Sequence, residues 1–385
     1  MNIYQCLASY LPELSSLKYL EITGPRDDGF DSFHHAIINS SLLGISYSES
    51  DLSKLDLNLI HESVLNADIH CIEFHNAVSK EVSVDFYTEF LNPEMRRHIW
   101  SLNLDRTINI DISQLTDNFD RLCSLSLANC GIDISLVLSF IHKNHLNYLT
   151  YLNLSGNMCN QHFDTDSIHL PSSLTHIMVN EVSWAEKSLI KFFTVVLRLN
   201  VNYTPLLLSL SIANAITLPN QWPLLFSFMK QQAKRPKPIG TTPSLEISEI
   251  CERQKNLCIK KLIWDGNPVD KHFFDFLNQN KNLETLSLNN CFNETLEDPI
   301  TLLTKFIQSN DTITHLSVAG SKNAYIGHKI SSVLQSCKGK HNLLVLDVSF
   351  SKCGSNYLQY FLPLFEEGNN SLQTVILDGI FPDNI

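Results

Sequence analysis

The chain has 385 residues, 44% of them apolar and 18% charged, with a net charge of −12 at pH 7. That apolar content excludes a disordered polypeptide, and the length admits either two or three globular domains or one extended repeat array. The acidic excess speaks against nucleic acid as partner, because phosphate binding needs a concentrated basic face.

The first 16 residues carry no basic stretch followed by an apolar run, and no apolar segment anywhere reaches the roughly 18 residues that span a bilayer. Residues 1–16 read as an N-terminal cap or partial repeat. Ten cysteines are spread along the chain without paired spacing, which reads as reduced thiols and a cytoplasmic setting.

From Leu17 onward one nine-position pattern recurs. Its clearest copy is LTYLNLSGN, residues 149–157, with aliphatics at positions one, four and six. The copies begin at Leu17, Leu42, Ile69, Ile99, Leu122, Leu149, Leu174, Leu207, Ile259, Leu283, Ile313, Leu343 and Leu372, thirteen in all. Steps between them run from 23 to 33 residues, with one exception of 52. That spacing is the period of leucine-rich repeats, and its longer end is the helix-bearing kind.

Between copies the apolar period turns helical, as in 133–144, 272–280, 298–310 and 355–365. Each unit is therefore strand, turn, helix, loop. Position nine should turn inward and bond backbone groups of the neighbouring coil, and it is a small hydrogen-bonding residue in eight copies: Ser50, Thr107, Cys130, Asn157, Asn267, Cys291, Ser321 and Ser351.

Stacking such units predicts an α/β fold, a right-handed leucine-rich-repeat solenoid of about 13 repeats with a parallel sheet inside the curve and helices outside. The whole of 1–385 reads as that single solenoid. The long step contains MKQQAKRPKPIGTTP, so 229–258 is expected to be an inserted basic, proline-containing loop and a return helix, with Lys234, Arg235 and Lys237 as its charged tip. Residues 372–385 form an incomplete last repeat whose uncovered edge invites a second copy, making a homodimer one expectation.

Positions three, five and seven of each copy should face the open side of the sheet. Most are Ser, Asn, Asp or Glu. Tyr151, Asn153, His176 and Met178 fall on adjacent coils, and Lys261 and His315 are larger contact residues further on. Aromatic and methionine anchors in a polar surround are what a protein-binding hot spot looks like.

No chemistry-bearing spacing accompanies them. There is no GxxxxGK[ST], GxSxG, HExxH or CxxC. His61-Glu62 lacks a second histidine, and His142 and His145 share a helical face without a third ligand nearby in sequence. The sequence thus names no catalytic residue, no cofactor and no metal ligand.

Repeats of about 28 residues with a helix in each resemble the ribonuclease-inhibitor class of leucine-rich repeats. Within it, LNLSGN (152–157), SSLTHI (172–177) with the 33-residue step that follows, LNQNKNLETLSLNNC (277–291) and LQTVILDG (372–379) resemble the CARMIL proteins, scaffolds that bind actin capping protein.

The resemblance implies a non-enzymatic scaffold at the cytoplasmic face of the cell cortex with actin-regulatory partners. Any membrane contact would be peripheral, through regions outside this chain. The family's capping-protein motif has an Arg-Pro-Lys core; here Arg235-Pro236-Lys237 stands without the upstream His and Thr. Alternatives are a GTPase activator resembling the Ran GTPase-activating protein, which would need the acidic tail missing here, and a leucine-rich-repeat ligand sensor.

Overall fold

Inward aliphatics at positions four and six, alternating with polar neighbours, suit a strand buried on one side only. The computed structural model describes residues 3–23, 30–49, 56–76, 90–107, 110, 112, 119–160, 168–198, 207–218, 220–233, 259–293, 297–353, 357–365 and 371–379. All thirteen sequence copies carry a parallel strand of one sheet that is not closed into a barrel. The fold is a leucine-rich-repeat α/β solenoid, and it divides into two compact units, Met1–Met178 and Val179–Ile385.

In the first unit, seven strands run Tyr19–Thr23, Gly44–Ser48, Cys71–His75, Ser101–Asn103, Ser124–Ser126, Tyr151–Asn153 and His176–Met178. Their registers put the fourth positions in one row: Leu20, Ile45, Ile72, Leu102, Leu125, Leu152 and Ile177. All but Leu20 are at most 2% exposed. A one-residue slip would turn every one of these side chains to water, which is why the register holds.

The second unit contributes six strands to that sheet, Ser209–Ser211, Lys261–Ile263, Thr285–Ser287, His315–Ser317, Val345–Asp347 and Thr374–Ile376. Here the row is Leu210, Leu262, Leu286, Leu316, Leu346 and Val375. Leu210 pairs directly with Leu262 despite the 52-residue step between their copies. Of the expected basic insertion, 229–233 instead closes the helix Gln221–Ala233, with Met229 fully buried. Nothing before Pro236 breaks a helix, so composition placed the loop too early. Residues 234–258, including Lys234, Arg235 and Lys237, lie outside the described residues.

Helices lie where the period changes. Asp133 caps Ile134–Lys143 by accepting from Ser135 N at 3.0 Å, and Asp270 caps Lys271–Leu277 by accepting from Phe273 N at 2.9 Å. Glu297–Ser309 and Tyr357–Phe365 occupy the other two predicted stretches.

Aromatic rings fill each core differently. In the first unit His34 stacks on Tyr47, Tyr47 on Phe74, and Phe90 meets Phe74 edge-on. In the second, Trp264 sits among Phe193, Trp222 and Phe273 and donates its indole N–H to Pro268 O at 2.9 Å.

Position nine meets the expectation at Thr107, Cys130, Asn157, Asn267 and Cys291, whereas Ser351 Oγ turns to Val348 O of its own coil and Ser50 lies outside the described residues. Asn157 Nδ2 donates to Leu127 O at 2.7 Å and Leu154 O at 2.9 Å, while its Oδ1 accepts from Cys130 N and Ile132 N. Asn267 bonds Ile212 O and Ala215 N in the same way. Thr107 and Cys130 reach Phe74 O and Leu104 O of the preceding coils.

Just before it, position eight turns left-handed in eleven copies: Glu49, Asn76, Arg106, Asn129, Gly156, Glu181, Asn214, Gly266, Asn290, Phe350 and Gly379. Gly156 and Gly266 are required for a second reason. A Cβ there would collide with the side chain of Asn129 or Asn214 in the neighbouring coil.

Candidate interaction surface

The open face of each sheet is built by positions three, five and seven. Much of its polar chemistry is turned back on the fold. A serine at position five is nearly buried, Ser126 at 6% and Ser211 at 2% exposure, so its hydroxyl needs a protein partner. The preceding coil supplies it from position seven. Asp105 Oδ1 accepts from Ser126 Oγ at 2.6 Å and from Ala128 N at 2.7 Å.

The same pair of bonds recurs three times in the second unit. Asn180 Oδ1 takes Ser211 Oγ and Ala213 N, Asp265 Oδ1 takes Ser287 Oγ and Asn289 N, and Asn289 Oδ1 takes Ser317 Oγ and Ala319 N, all at 2.6–2.8 Å. Where position five is itself Asn or Asp, it accepts from position seven of its own coil: Asp105 N to Asn103, Ser155 N to Asn153, Ser349 N to Asp347. An Asx side chain thus stands in for a backbone acceptor along most of the face.

This ladder sorts the expected contact residues. Asn153 belongs to it, donating from Nδ2 to Ser126 Oγ at 3.0 Å as well as accepting from Ser155 N. Tyr151, His176 and Met178 do not. Tyr151 pairs with His176 and Asn153 with Met178 in register, and the Tyr151 hydroxyl donates to Met178 Sδ at 3.1 Å. Burial, and then the charge of Asp105, push the Tyr151 hydroxyl upward in pKa, so it stays protonated.

His176 is exposed. Thr175 Oγ1 gives its proton to Thr150 O at 3.1 Å, so its lone pair accepts from His176 Nδ1–H at 2.8 Å. The neutral ring therefore keeps Nε2 as an acceptor. His315 repeats the device in the second unit: Thr314 Oγ1 donates to Glu284 O at 3.0 Å and accepts from His315 Nδ1 at 2.8 Å. Lys261 is exposed and makes no ion pair among the described residues.

The first coils carry a different cluster. Tyr19 donates to Glu73 Oε2 at 2.5 Å and His75 Nε2 lies 2.9 Å from the same oxygen. Burial, then the bond to Glu73, hold the Tyr19 hydroxyl well above the usual phenol range. Tyr19 is nonetheless 44% exposed. Tyr19, Glu73 and His75 stand at positions three, five and seven of their copies, which the repeat spacing turns to this face, but no local spacing joins them.

None of the eight described cysteines is in a disulfide. Burial pushes the thiols of Cys130, Cys291 and Cys337 up to about 12 and that of Cys353 to about 11. These are packing and hydrogen-bonding groups, and such neutral thiols do not act as nucleophiles near neutral pH. As possible metal donors, Asp68, His70 and His98 come together at one edge of the first unit. No sequence spacing rule finds them, because two of them are separated by one whole repeat.

No protein-family model matches the chain, and no curated protein matches it. Among solved structures, an internalin (inlF) from Listeria monocytogenes is similar at a TM-score of 0.41 and 13% identity, covering 97% of this chain and 87% of that one. TLR13 in its complex with ssRNA13 is similar at a TM-score of 0.41 and 15% identity, covering 98% of this chain. The chain spans 56% of the TLR13 chain's length. Both are leucine-rich-repeat proteins. No helix among the described residues is long and apolar enough to cross a membrane.

Proposed function

We propose that this chain is a non-enzymatic scaffold that binds another protein through the open sheet face, with Tyr151, His176 and Met178 as the anchor group of the first unit and Lys261 and His315 as contacts in the second. One observation carries this reading: from the fourth coil on, the Asx–serine ladder uses up most polar groups of the face, and these five are among the larger side chains left outside it. An aromatic ring, a thioether and an imidazole with an open acceptor, on neighbouring strands, offer a partner apolar area and directional bonding together. The basic residues Lys234, Arg235 and Lys237 add charge of opposite sign to the acidic remainder.

The finer reading is an actin-regulatory partner of the CARMIL kind at the cell cortex, and its support is the resemblance of segments 152–157, 172–177, 277–291 and 372–379 alone. Purified capping protein in a binding titration tests that reading separately. For the surface itself, the double change Tyr151→Ala, His176→Ala removes half-exposed and exposed groups whose bonds satisfy no backbone donor or acceptor. It should leave the melting curve close to that of the parent and abolish recovery of the partners that the parent captures at stoichiometric yield. Equal recovery by both would move the binding surface elsewhere.

A further inference from the structure

The edge where helices hand over to strands carries a second feature, independent of the interaction surface. Asp68 immediately precedes the third copy, and His98 stands at the same place one coil later. Between them lies His70, 8% exposed, its ring stacked on Trp100 with centroids 4.0 Å apart and planes 8° off parallel. The ring centroids of His70 and His98 are 4.7 Å apart.

Hydrogen bonding fixes the protons. His70 Nδ1 lies 3.2 Å from His98 O, and a carbonyl can only accept, so Nδ1 carries the hydrogen. The Nε2 lone pair then faces Asp68 Oδ1 at 3.4 Å, a second acceptor. His98 hydrogen-bonds the Ile69 backbone through its other ring nitrogen, which leaves Nε2 an acceptor, closed off from solvent and without a hydrogen-bond partner among the described residues. One donor atom from each of the three residues lies within 4.8 Å of the other two. Three acceptors converging without a donor are a site for a cation.

We propose that Asp68, His70 and His98 bind one divalent transition metal ion of the zinc class, tying the third coil to the fourth. Two donors each about 2.0–2.1 Å from a tetrahedral ion are about 3.3 Å apart, which matches the His70–Asp68 separation. Two imidazoles and one carboxylate suit zinc and its neighbours better than magnesium or calcium, which prefer all-oxygen shells. The backbone carbonyl on His70 Nδ1 is the orienting partner that metal-bound imidazoles usually have. A proton on His70 Nε2 would satisfy Asp68 but leave His98 Nε2 alone; the metal satisfies all three. Three protein donors leave the fourth position to water.

The test uses the full chain without an affinity tag, stripped by chelator and titrated with zinc alone by calorimetry, with cobalt as the visible-absorbing substitute. The parent should take up one equivalent, show the strong visible absorption of tetrahedral cobalt, and melt at a higher temperature with zinc. Asp68→Asn and His98→Gln should each weaken binding by more than about tenfold, the scale already set by losing an outer partner of a ligand. Asp68 is exposed, so its variant folds and decides the matter even if His98→Gln does not. Failure of the parent to bind, or undiminished binding by Asp68→Asn, overturns the proposal. The second outcome would direct attention to His142, whose ring lies 6.3 Å from that of His145 and 5.5 Å from that of His169.

Discussion

The first three coils and the coils from the fourth onward solve one backbone problem in two ways. In the first three, the strands are five residues long, and pairing runs through position seven, joining Thr23 to Ser48 and Ser48 to His75. From the fourth coil on, strands are three residues long, and in seven coils the N–H of position seven goes to an Asx side chain instead.

The residue types decide which. None of Thr23, Ser48 or His75 offers a carboxylate or amide acceptor, whereas Asp105, Asn180, Asp265 and Asn289 do, and so do Asn103, Asn153 and Asp347 two positions earlier. A side-chain acceptor lets the chain leave the sheet early without stranding a donor. Where the ladder runs, serine and asparagine are committed to the fold, and under the proposed function contact falls to the residues that stand outside it.

From the fourth coil on, the inward asparagine at position nine holds backbone groups of two coils at once, so its removal should cost most. Asn157→Ala strips two buried N–H groups and two buried carbonyls of their partner, and should lower unfolding free energy by about 3 kcal/mol or more, read from urea midpoints. A loss under 1 kcal/mol would mean that water replaces the amide.

The ladder itself should matter less. Asp265→Ala removes the acceptor for Ser287 Oγ and Asn289 N and should cost about 1–3 kcal/mol, while Asp265→Asn keeps Oδ1 and should recover most of it. In the first coils Glu73→Ala loosens Tyr19 and His75 but strands no backbone donor, and should cost no more than about 1 kcal/mol. If the Glu73 change proved costlier than the Asp265 change, the contrast between the two regions would fail.

Smallest under ordinary conditions is the effect of the buried thiols. With pKa values of about 11–12, above the ordinary 9.0, Cys130, Cys291, Cys337 and Cys353 stay protonated at pH 8 and should resist iodoacetamide until denaturant is added. The sign on stability follows. The folded state holds these protons more tightly than the unfolded chain, so stability is unaffected below about pH 9 and falls as pH rises from there towards 12. Rapid labelling at pH 8 in the native state would show that these side chains are accessible.

How much of this could be read beforehand depends on how local the signal is. Positions one, four and six of each copy, position nine, and the helices at 133–144 and 298–310 were legible, because burial and period act on residues close in sequence. Even the ladder has a sequence signature, an Asx at position seven followed one coil later by serine at position five, but it shows only once the coils are in register. The end of the helix Gln221–Ala233 was missed because charged and glutamine residues read as loop yet are good helix formers.

By itself the sequence determined the class of fold, since a fixed aliphatic spacing repeated thirteen times has one economical burial, coil upon coil. Only the tertiary structure decided which polar residues are spent on the sheet face, which side chains are left for a partner, and that Asp68 and His70 meet His98 across one repeat. The physical reason is distance along the chain: hydrophobic period is written locally, whereas hydrogen bonds and ligand sets join residues 20 or more positions apart and exist only after stacking sets the register.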